Sequence, residues 1–372
     1  MRVVRRIATR SMLAVGLTFA WSVIPAVAAG AWWVPAPSGT REISAVASNQ
    51  GLTTLAISKG TAGWYSPRSG SFASIKAPSG TASTLGPAVA VAATGEIGVA
   101  AYGQGQLLEV SNGEPLLRLP SVKGVPRAAA MVGSDPLIVA VVTSRGLFAG
   151  RLGSRLKRVV TGDGRAVIGP PKSGRDWLAL VNGWLWESSD GLIWVRSHDA
   201  PNFGLQTEAV AELSSGLILV GQPGGLIWRG AQRRWSRAFQ LLPYGGLGGV
   251  PTVTSLVADG STSAYVATEG FGTLLTPDGG YSWYRAPPSA GAISALATVG
   301  PVFSAKPHGF VVALSPGRVF LHRLQLLPQP PIYSLTGETA ELVGTAAVTL
   351  ASVLLVVCLL WLLNRRQRRR SV

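Results

Sequence analysis

The 372-residue sequence holds few of the side chains that carry redox or metal chemistry. Its one cysteine, Cys358, lies in an apolar run near the C-terminus, so no disulfide can form within the chain. The three histidines, His198, His308 and His322, show no spacing typical of a metal site. We therefore expect a fold that is held by packing alone, with no metal and no cofactor.

Charged residues are also scarce, at 13% of the chain, whereas hydrophobic residues make up 47%. This much apolar surface excludes a disordered chain, because its burial can offset the loss of chain entropy. Much of the formal charge of +16 comes from the two ends, where arginines flank apolar runs and no acid is present. Such flanking charge reports membrane topology, and we expect no nucleic-acid interface.

Residues 1–28 have the order of a secretory signal peptide. Basic residues within Arg2–Arg10 precede the apolar stretch Ser11–Pro25, and small residues follow at Ala26 and Ala28. We expect cleavage near Ala28. An uncleaved anchor helix is the alternative.

A second apolar run, Leu342–Leu363, contains 22 residues and no charge. As a helix it would be about 33 Å long, enough for a hydrocarbon core of about 30 Å. The basic tail 364–372 follows it directly, and the positive-inside rule places that tail in the cytoplasm. We therefore expect a single-pass type I protein of the cell membrane, with a Pro-rich linker at 326–341 and the main domain outside the cytoplasm.

The middle of the chain repeats one pattern seven times, with about 40–47 residues between equivalent strands, which is the period of a four-stranded propeller blade. No long stretch shows helical periodicity, which excludes a parallel α/β fold. The sequence therefore predicts an all-β fold, a seven-bladed β-propeller of four-stranded blades, over residues 31–325. The first strands of its blades are expected at 43–48, 87–93, 126–132, 165–169, 207–213, 253–259 and 292–298.

The seventh blade supplies only three strands before the chain leaves it. The missing strand is expected at the N-terminus, because the sequence of residues 32–48 aligns with that of residues 282–298, with Trp33 aligned to Trp283. Residues 31–37 should therefore form an outer fourth strand for blade 7. Such a strand would close the ring and remove its unpaired edge.

Two turns between third and fourth strands carry a recognisable motif. The sequence TPDGGYSW (276–283) fits the Asp-box pattern Ser/Thr-x-Asp-x-Gly-x-x-Trp, and SSDGLIW (188–194) is one residue shorter. Asp suits turn geometry, Gly supplies a positive φ and Trp buries a large face, so a structural role is expected. The residues concerned are Ser188, Asp190, Gly191, Trp194, Thr276, Asp278, Gly280 and Trp283.

Over about residues 31–323 the chain resembles Asp-box repeat propellers of the sialidase-like and photosystem-assembly-factor-like groups. The sialidase residues that this resemblance would imply are not found: the N-terminal Arg-Ile-Pro signature is absent, and no tyrosine has an evident glutamate partner. Glu208 and Glu212 form the one close carboxylate pair on a first strand, but their spacing of about 13 Å does not suit a glycosidase. They are interpreted as solvated channel residues, and no catalytic residue is assigned.

Candidate binding residues fall into two groups. By analogy with other propellers, ligands bind where loops enter the first strands, which here selects Arg41, Arg127, Arg165 and Glu208. A cationic patch on blades 3 to 5 is the second candidate. It combines two clusters: Arg151, Arg155, Lys157, Arg158, Arg165, Lys172 and Arg175; and Arg229, Arg233, Arg234 and Arg237.

These features favour a non-enzymatic binding or scaffold module, anchored at the outer face of a membrane. The resemblance implies a role in the assembly or stability of a membrane protein complex. The expected partner is a protein or an anionic surface polymer. A carbohydrate-binding or glycan-hydrolysing surface protein is the alternative.

Overall fold

The computed structural model describes residues 33–36, 43–49, 51–75, 85–111, 114–133, 136–170, 176–231, 234–241, 252–270, 272–286, 292–299, 310–315 and 318–323. The chain divides into two units, Met1–Tyr333 and Ser334–Val372, and the described residues all belong to the first. The expected signal peptide, linker, membrane span and basic tail lie outside them. Within the described ranges, no helix has the length and apolar character needed to cross a membrane.

The described strands form seven four-stranded sheets, which confirms the all-β, seven-bladed propeller. Blade 1 contains β2 (Ile43–Val46), β3 (Thr54–Ser58), β4 (Thr61–Ser66) and β5 (Ser71–Ser74). Blade 2 contains β6 (Ala88–Thr94), β7 (Ile97–Tyr102), β8 (Leu107–Ser111) and β9 (Glu114–Leu119). Blade 3 contains β10 (Pro126–Val132), β11 (Ile138–Thr143), β12 (Gly146–Arg151) and β13 (Lys157–Thr161).

The next three blades follow the same order. Blade 4 contains β14 (Gly164–Ile168), β15 (Trp177–Val181), β16 (Trp184–Ser188) and β17 (Val195–Arg196). Blade 5 contains β18 (Ala209–Glu212), β19 (Ile218–Gly221), β20 (Leu226–Ala231) and β21 (Arg234–Gln240). Blade 6 contains β22 (Val253–Ala258), β23 (Ala264–Thr268), β24 (Gly272–Thr276) and β25 (Tyr284–Ala286).

Blade 7 is completed by the two ends of the described chain. It contains β26 (Ala295–Val299), β27 (Phe310–Ser315), β28 (Arg318–Arg323) and β1 (Trp33–Pro35). Strand β1 is antiparallel to β28, with Trp33 opposite His322, and the Ala36 N–H donates to the Val319 carbonyl at 2.8 Å. The pairing predicted from the repeat is therefore present.

The antiparallel strand order gives the propeller two distinct faces. Each first strand runs away from the face where it begins, and each later strand reverses direction. The starts of the first strands and the turns between second and third strands thus share one face, which we call the upper face. The turns between first and second strands and those between third and fourth strands share the lower face.

The core lies between neighbouring blades. Second strands such as β15 and β23 are buried along their whole length, because each of their two sides packs on an adjacent blade. One cluster joins Val99 and Leu107 of blade 2 to Met131 and Val139 of blade 3. First strands are rich in alanine, since small side chains suit the narrow space near the ring axis.

Asn49 connects the blades at which the ring closes. Its N–H donates to the Thr298 carbonyl of blade 7 at 2.8 Å. Its side chain donates to the Gly95 carbonyl of blade 2 at 2.8 Å and accepts from the Gly95 N–H at 2.9 Å. A buried polar side chain is stable when its hydrogen bonds are satisfied, so Asn49 holds blades 7, 1 and 2 together near the lower face.

Candidate functional site

A backbone irregularity positions the side chains around the upper mouth of the ring. In five blades the pairing of the first two strands shifts by one residue near the start of the first strand. Such a bulge leaves one residue without a direct cross-strand partner and re-aims its side chain. The residues at these bulges are Ser44, Val89, Arg127, Arg165 and Thr254.

Charged bulge residues occur on two adjacent blades, and ion pairs connect them. Arg127 of blade 3 contacts Asp163 through Nη1 and Oδ1 at 2.9 Å. Arg165 of blade 4 contacts Asp163 through Nη2 and Oδ2 at 2.9 Å, and its Nη1 contacts Glu208 Oε1 at 2.9 Å. Glu208 lies directly before β18 of blade 5. We call Arg127, Asp163, Arg165 and Glu208 the charged arc.

The turn of Asn182 holds Asp163 at the centre of the charged arc. The Asp163 N–H donates to Asn182 Oδ1 at 2.7 Å, and the Asn182 N–H donates to the Asp163 carbonyl at 2.9 Å. Asn182 has a φ of 53°, a conformation that asparagine adopts more readily than most residues. The position of Asp163 is therefore set by backbone contacts as well as by its two arginines.

The charged arc is partly exposed and flanked by apolar side chains. The side chains of Arg127, Asp163 and Arg165 are 22–31% exposed, and that of Glu208 is 52% exposed. Val125 precedes Arg127 on the chain and is 52% exposed, and Leu205 precedes Glu208 and is 60% exposed. Blades 3 to 5 thus present paired charges beside apolar contact area on the upper face.

The structure brings together three of the four residues expected at this face. Arg127, Arg165 and Glu208 meet, whereas Arg41 lies outside the described residues. Asp163, which joins the two arginines, was missed. The sequence indicates a role for Asp163 only weakly, because it shows no more than an acidic residue in the two-residue link Gly162–Asp163 between β13 and β14.

The interpretation of Glu212 as a solvated channel residue is wrong. Glu212 is 4% exposed, at the end of β18, and is therefore not a solvated channel residue. Glu208 is exposed but precedes the strand, so the two do not form an alternating pair on it. Periodicity along a strand could not show this, because the neighbouring blades decide which side chains are covered.

The two motif turns lie on the lower face and share one hydrogen-bond pattern. Asp190 Oδ1 accepts from the N–H groups of Leu192 and Ile193, each at 2.8 Å. Asp278 Oδ1 accepts from the N–H groups of Tyr281 and Ser282 at 3.0 and 2.8 Å. The Ser188 and Thr276 hydroxyls accept from the N–H groups of Gly191 and Gly280, respectively, at 2.9 and 2.7 Å.

These bonds lower the pKa values of both turn carboxyls. Hydrogen bonds from the N–H groups of Ile193 and Leu192 hold the pKa of Asp190 below its ordinary value. Burial alone would raise the pKa of Asp278, but bonds from Ser282, Thr276 and the Tyr281 N–H outweigh it and lower the pKa. Both turns therefore favour the ionised carboxylate.

The tryptophans of the two turns are buried between blades. Trp194 joins its own blade 4 to blade 3, and its indole N–H donates to the Gly191 carbonyl at 3.0 Å. Trp283 joins blade 6 to blade 5, and its indole N–H donates to the Gly280 carbonyl at 3.1 Å. Each turn thus fastens one blade to the preceding blade.

The predicted cationic patch is divided between the two faces. Arg151, Arg155, Lys157 and Arg158 are exposed around the lower hairpin between β12 and β13, and we call them the basic hairpin. Arg165 does not belong with them, because it lies at the upper end of β14 and is paired in the charged arc. Lys172, Arg175 and Arg233 lie outside the described residues.

The blade 5 cluster is engaged with aromatic rings. The guanidinium of Arg229 lies 3.7 Å from the centre of the Tyr281 ring, and that of Arg237 lies 5.7 Å from the Trp228 ring. Cations at such distances are attracted by the ring face. Arg234 is exposed at the start of β21. Arg229 and Arg237 of blade 5 are therefore held against aromatic rings, whereas Arg234 is exposed like the cations of the basic hairpin.

Among the residues that the structure describes, His, Cys, Asp and Glu side chains form no group of three that could hold a metal ion.

Asp259, in the lower turn between β22 and β23, is distinctive because burial raises its pKa to about 7. Its carboxylate adds to the negative field at Tyr265, whose pKa is raised chiefly by burial.

No family model matches the chain, and no curated protein matches it. Solved propellers share its fold. A structure of YCF48 bound to D1 peptide is 14% identical, with a TM-score of 0.58 over 80% of this chain and 97% of the other. YCF48 from Cyanidioschyzon merolae is 13% identical, with a TM-score of 0.57 over 79% and 99%. The RRP9 WD40 repeats are 11% identical, with a TM-score of 0.61 over 79% and 98%. At these identities the comparisons show the fold alone.

Proposed function

We propose that this protein is a membrane-anchored binding module outside the cytoplasm, whose upper face holds a segment of a protein partner. The charged arc is the observation that carries the proposal. It fixes four charged side chains across three blades at the mouth of the ring, beside exposed Val125 and Leu205. Preorganised polar groups next to apolar contact area are typical of recognition surfaces.

The two ends of the arc differ in charge, which gives the surface a direction. Arg127 hydrogen-bonds within the arc through Nη1 only, so the rest of its guanidinium can donate to a partner carboxylate or carbonyl. Glu208 contributes Oε1 to the arc and leaves Oε2 for a cation or an N–H group. An extended peptide with a carboxylate near blade 3 and a basic group near blade 5 would match both ends.

A protein of the same fold supports a peptide as the ligand class. YCF48 has been solved with a D1 peptide bound, and its propeller spans nearly the length of the one described here. From the resemblance to photosystem-assembly-factor-like propellers, we infer that the partner segment belongs to a membrane protein and that binding aids the assembly or stability of its complex. The anchoring rests on the apolar run Leu342–Leu363 and the basic tail that follows it.

The binding proposal is tested by affinity capture from detergent-solubilised native membranes. The variant Arg127→Glu/Glu208→Lys reverses both ends of the arc without changing the net charge, and we expect it to lose a discrete membrane complex that the wild-type chain retains. The matched control is Arg155→Glu/Glu96→Lys, which makes the same two reversals at exposed residues of the lower face. Equal thermal melting of the variants shows that folding is intact.

Retention of the same complex by the arc variant at the wild-type level would exclude this face as the binding surface. If no variant and no wild-type sample captures a protein, but the chain binds isolated cell-wall polysaccharide, the function is carbohydrate binding instead. Anchoring is checked separately, since a spanning chain stays with the membrane after an alkaline wash.

A further inference from the structure

Both ends of the described chain lie at the lower face. Strand β1 begins at Trp33, opposite His322 near the end of β28, and β28 ends at Arg323. Because β28 is a third strand, it runs from the upper to the lower face. The described chain therefore both begins and ends at the lower face of the propeller.

The basic hairpin places four exposed cations on this face. Among the described residues, no carboxylate forms an ion pair with Arg151, Arg155, Lys157 or Arg158. All four are exposed, around a hairpin whose other residues are uncharged. The contrast with the upper face is direct, because there both Arg127 and Arg165 are paired with carboxylates.

Exposed apolar side chains adjoin the basic hairpin. Ile193 is 72% exposed in the lower turn of blade 4, and Val195, at the start of β17, is 57% exposed. This turn reaches blade 3, because a Cβ on Gly191 would lie 2.8 Å from Ile138 Cγ2. Ile138 is the strand partner of Arg151, so the blade 4 turn that carries Ile193 lies beside the blade 3 strands that carry the cations.

Two further exposed apolar residues lie on the lower face. Leu52, between β2 and β3, is 66% exposed, and Tyr281, between β24 and β25, is 61% exposed. Apolar side chains beside Lys and Arg are typical of surfaces that lie in the headgroup region of a membrane.

We propose that the lower face at blades 3 and 4 docks on a bilayer that contains anionic lipid. The basic hairpin contacts the headgroups, and Ile193 and Val195 enter the interface. The proposal rests on the proposed membrane anchoring, which holds the propeller close to lipid. It leaves the charged arc, on the opposite face, open to a partner.

The test uses the full-length chain reconstituted in vesicles whose lipids carry a quencher near the headgroup. Cys358→Ser removes the native thiol, and Ser154→Cys then places a fluorophore on the basic hairpin. Leu205→Cys is the matched position on the upper face. We expect strong quenching at residue 154 and little at residue 205 in vesicles with anionic lipid. In uncharged vesicles, or in about 1 M salt, which shortens the Debye length to about 3 Å, quenching at residue 154 should fall.

The variant Arg155→Ala/Lys157→Ala/Arg158→Ala measures the contribution of the cations. Each basic residue near an anionic surface favours docking about fivefold, so the docking constant should fall about 100-fold. Equal quenching at both residues, or unchanged quenching in uncharged vesicles, would overturn the proposal. Loss of the protein from vesicles after an alkaline wash is a different result, because it rejects the anchoring. Capture of a protein partner by the basic hairpin, without quenching, would assign this face to that partner.

Discussion

Blades 4 and 6 contain the same turn at different spacings. In blade 4 the serine, aspartate, glycine and tryptophan stand at residues 188, 190, 191 and 194. In blade 6 the corresponding residues stand at 276, 278, 280 and 283, with one more residue before the glycine. All the main hydrogen bonds are nevertheless equivalent, including that from each indole N–H to the glycine carbonyl.

The extra residue of blade 6 is accommodated by its backbone. The blade 6 turn has two glycines with positive φ, Gly279 at 72° and Gly280 at 93°. The blade 4 turn has one, Gly191, with a φ of 72°. These values are unfavourable for residues with a Cβ, so the insertion requires a second glycine. The Gly279 N–H donates to the Thr262 carbonyl in the neighbouring turn. The comparison shows that the turn is defined by its contacts and not by its residue count.

The blades also differ away from the turn. At the upper face blade 4 carries Arg165 in the charged arc, whereas blade 6 carries Thr254, whose hydroxyl donates to the Ile293 carbonyl at 2.6 Å. At the lower face blade 6 holds the partly buried carboxyl of Asp259. Four predictions use these differences.

The largest effect is expected from the turn tryptophans. Replacement of a buried Trp by Ala costs about 3–5 kcal/mol of unfolding free energy. Trp283→Ala should cost more unfolding free energy than Trp194→Ala, because Trp283 is 3% exposed and Trp194 is 8% exposed. The Trp283 ring also stacks on Phe239, with the ring centres 5.6 Å apart. Urea unfolding of the full-length variants in detergent measures the difference. Ile193→Ala, in the blade 4 turn, is the control and should change stability by less than about 0.5 kcal/mol.

The turn aspartates come next. Removing the partly buried carboxylate of Asp278 should cost about 2 kcal/mol, and removing the exposed one of Asp190 should cost about 1 kcal/mol or less, because solvent screens it. Asp278 also accepts from the Ser282 hydroxyl, which adds to the difference. Both pKa values are lowered by folding, so this stability is present above about pH 4 and is lost as the pH falls through the folded-state pKa. Melting temperatures at pH 7 and pH 3 test this. A cost that is the same at both pH values would contradict the role of the ionised form.

The ionisation of Asp259 should change stability with pH in the opposite direction to that of the two turn aspartates. Its folded-state pKa of about 7 means that burial disfavours the ionised form. The folded state therefore loses stability as the pH rises from about 4, where the unfolded carboxyl ionises, to about 7. Asp259→Asn should raise the unfolding free energy by about 1–2 kcal/mol at pH 8, and the gain should disappear at pH 4. A gain at pH 4 would show that the effect is not ionisation.

The smallest expected effect is at the upper face. Arg165→Met removes two partly exposed ion pairs and should cost about 1 kcal/mol. Thr254→Val removes one neutral hydrogen bond and should cost about 1 kcal/mol as well. In about 1 M salt the Arg165→Met cost should shrink, because ion pairs are screened and neutral bonds are not. If salt changes both costs equally, the charged arc does not stabilise the ring electrostatically.

Much of the fold could be predicted because the repeat consists of short sequence patterns that recur along the chain. Apolar second strands, alanine-rich first strands and turn residues recur at a regular period, and the likeness of residues 32–48 to 282–298 revealed the closing strand. The site was harder. Arg127, Arg165 and Glu208 were selected from their places at strand starts, but Asp163 was not, and Arg165 was also assigned to a cluster on the opposite face.

The sequence by itself determined the number of blades, the closing strand and the motif turns, because hydrophobic period and turn chemistry act over a few neighbouring residues. Only the tertiary structure decided which charges meet. Arg165 and Glu208 are 43 residues apart and come into contact through the packing of two blades. The same packing buries Glu212 and leaves the basic hairpin exposed. Ion pairing and burial depend on the distances between blades, which strand periodicity does not contain.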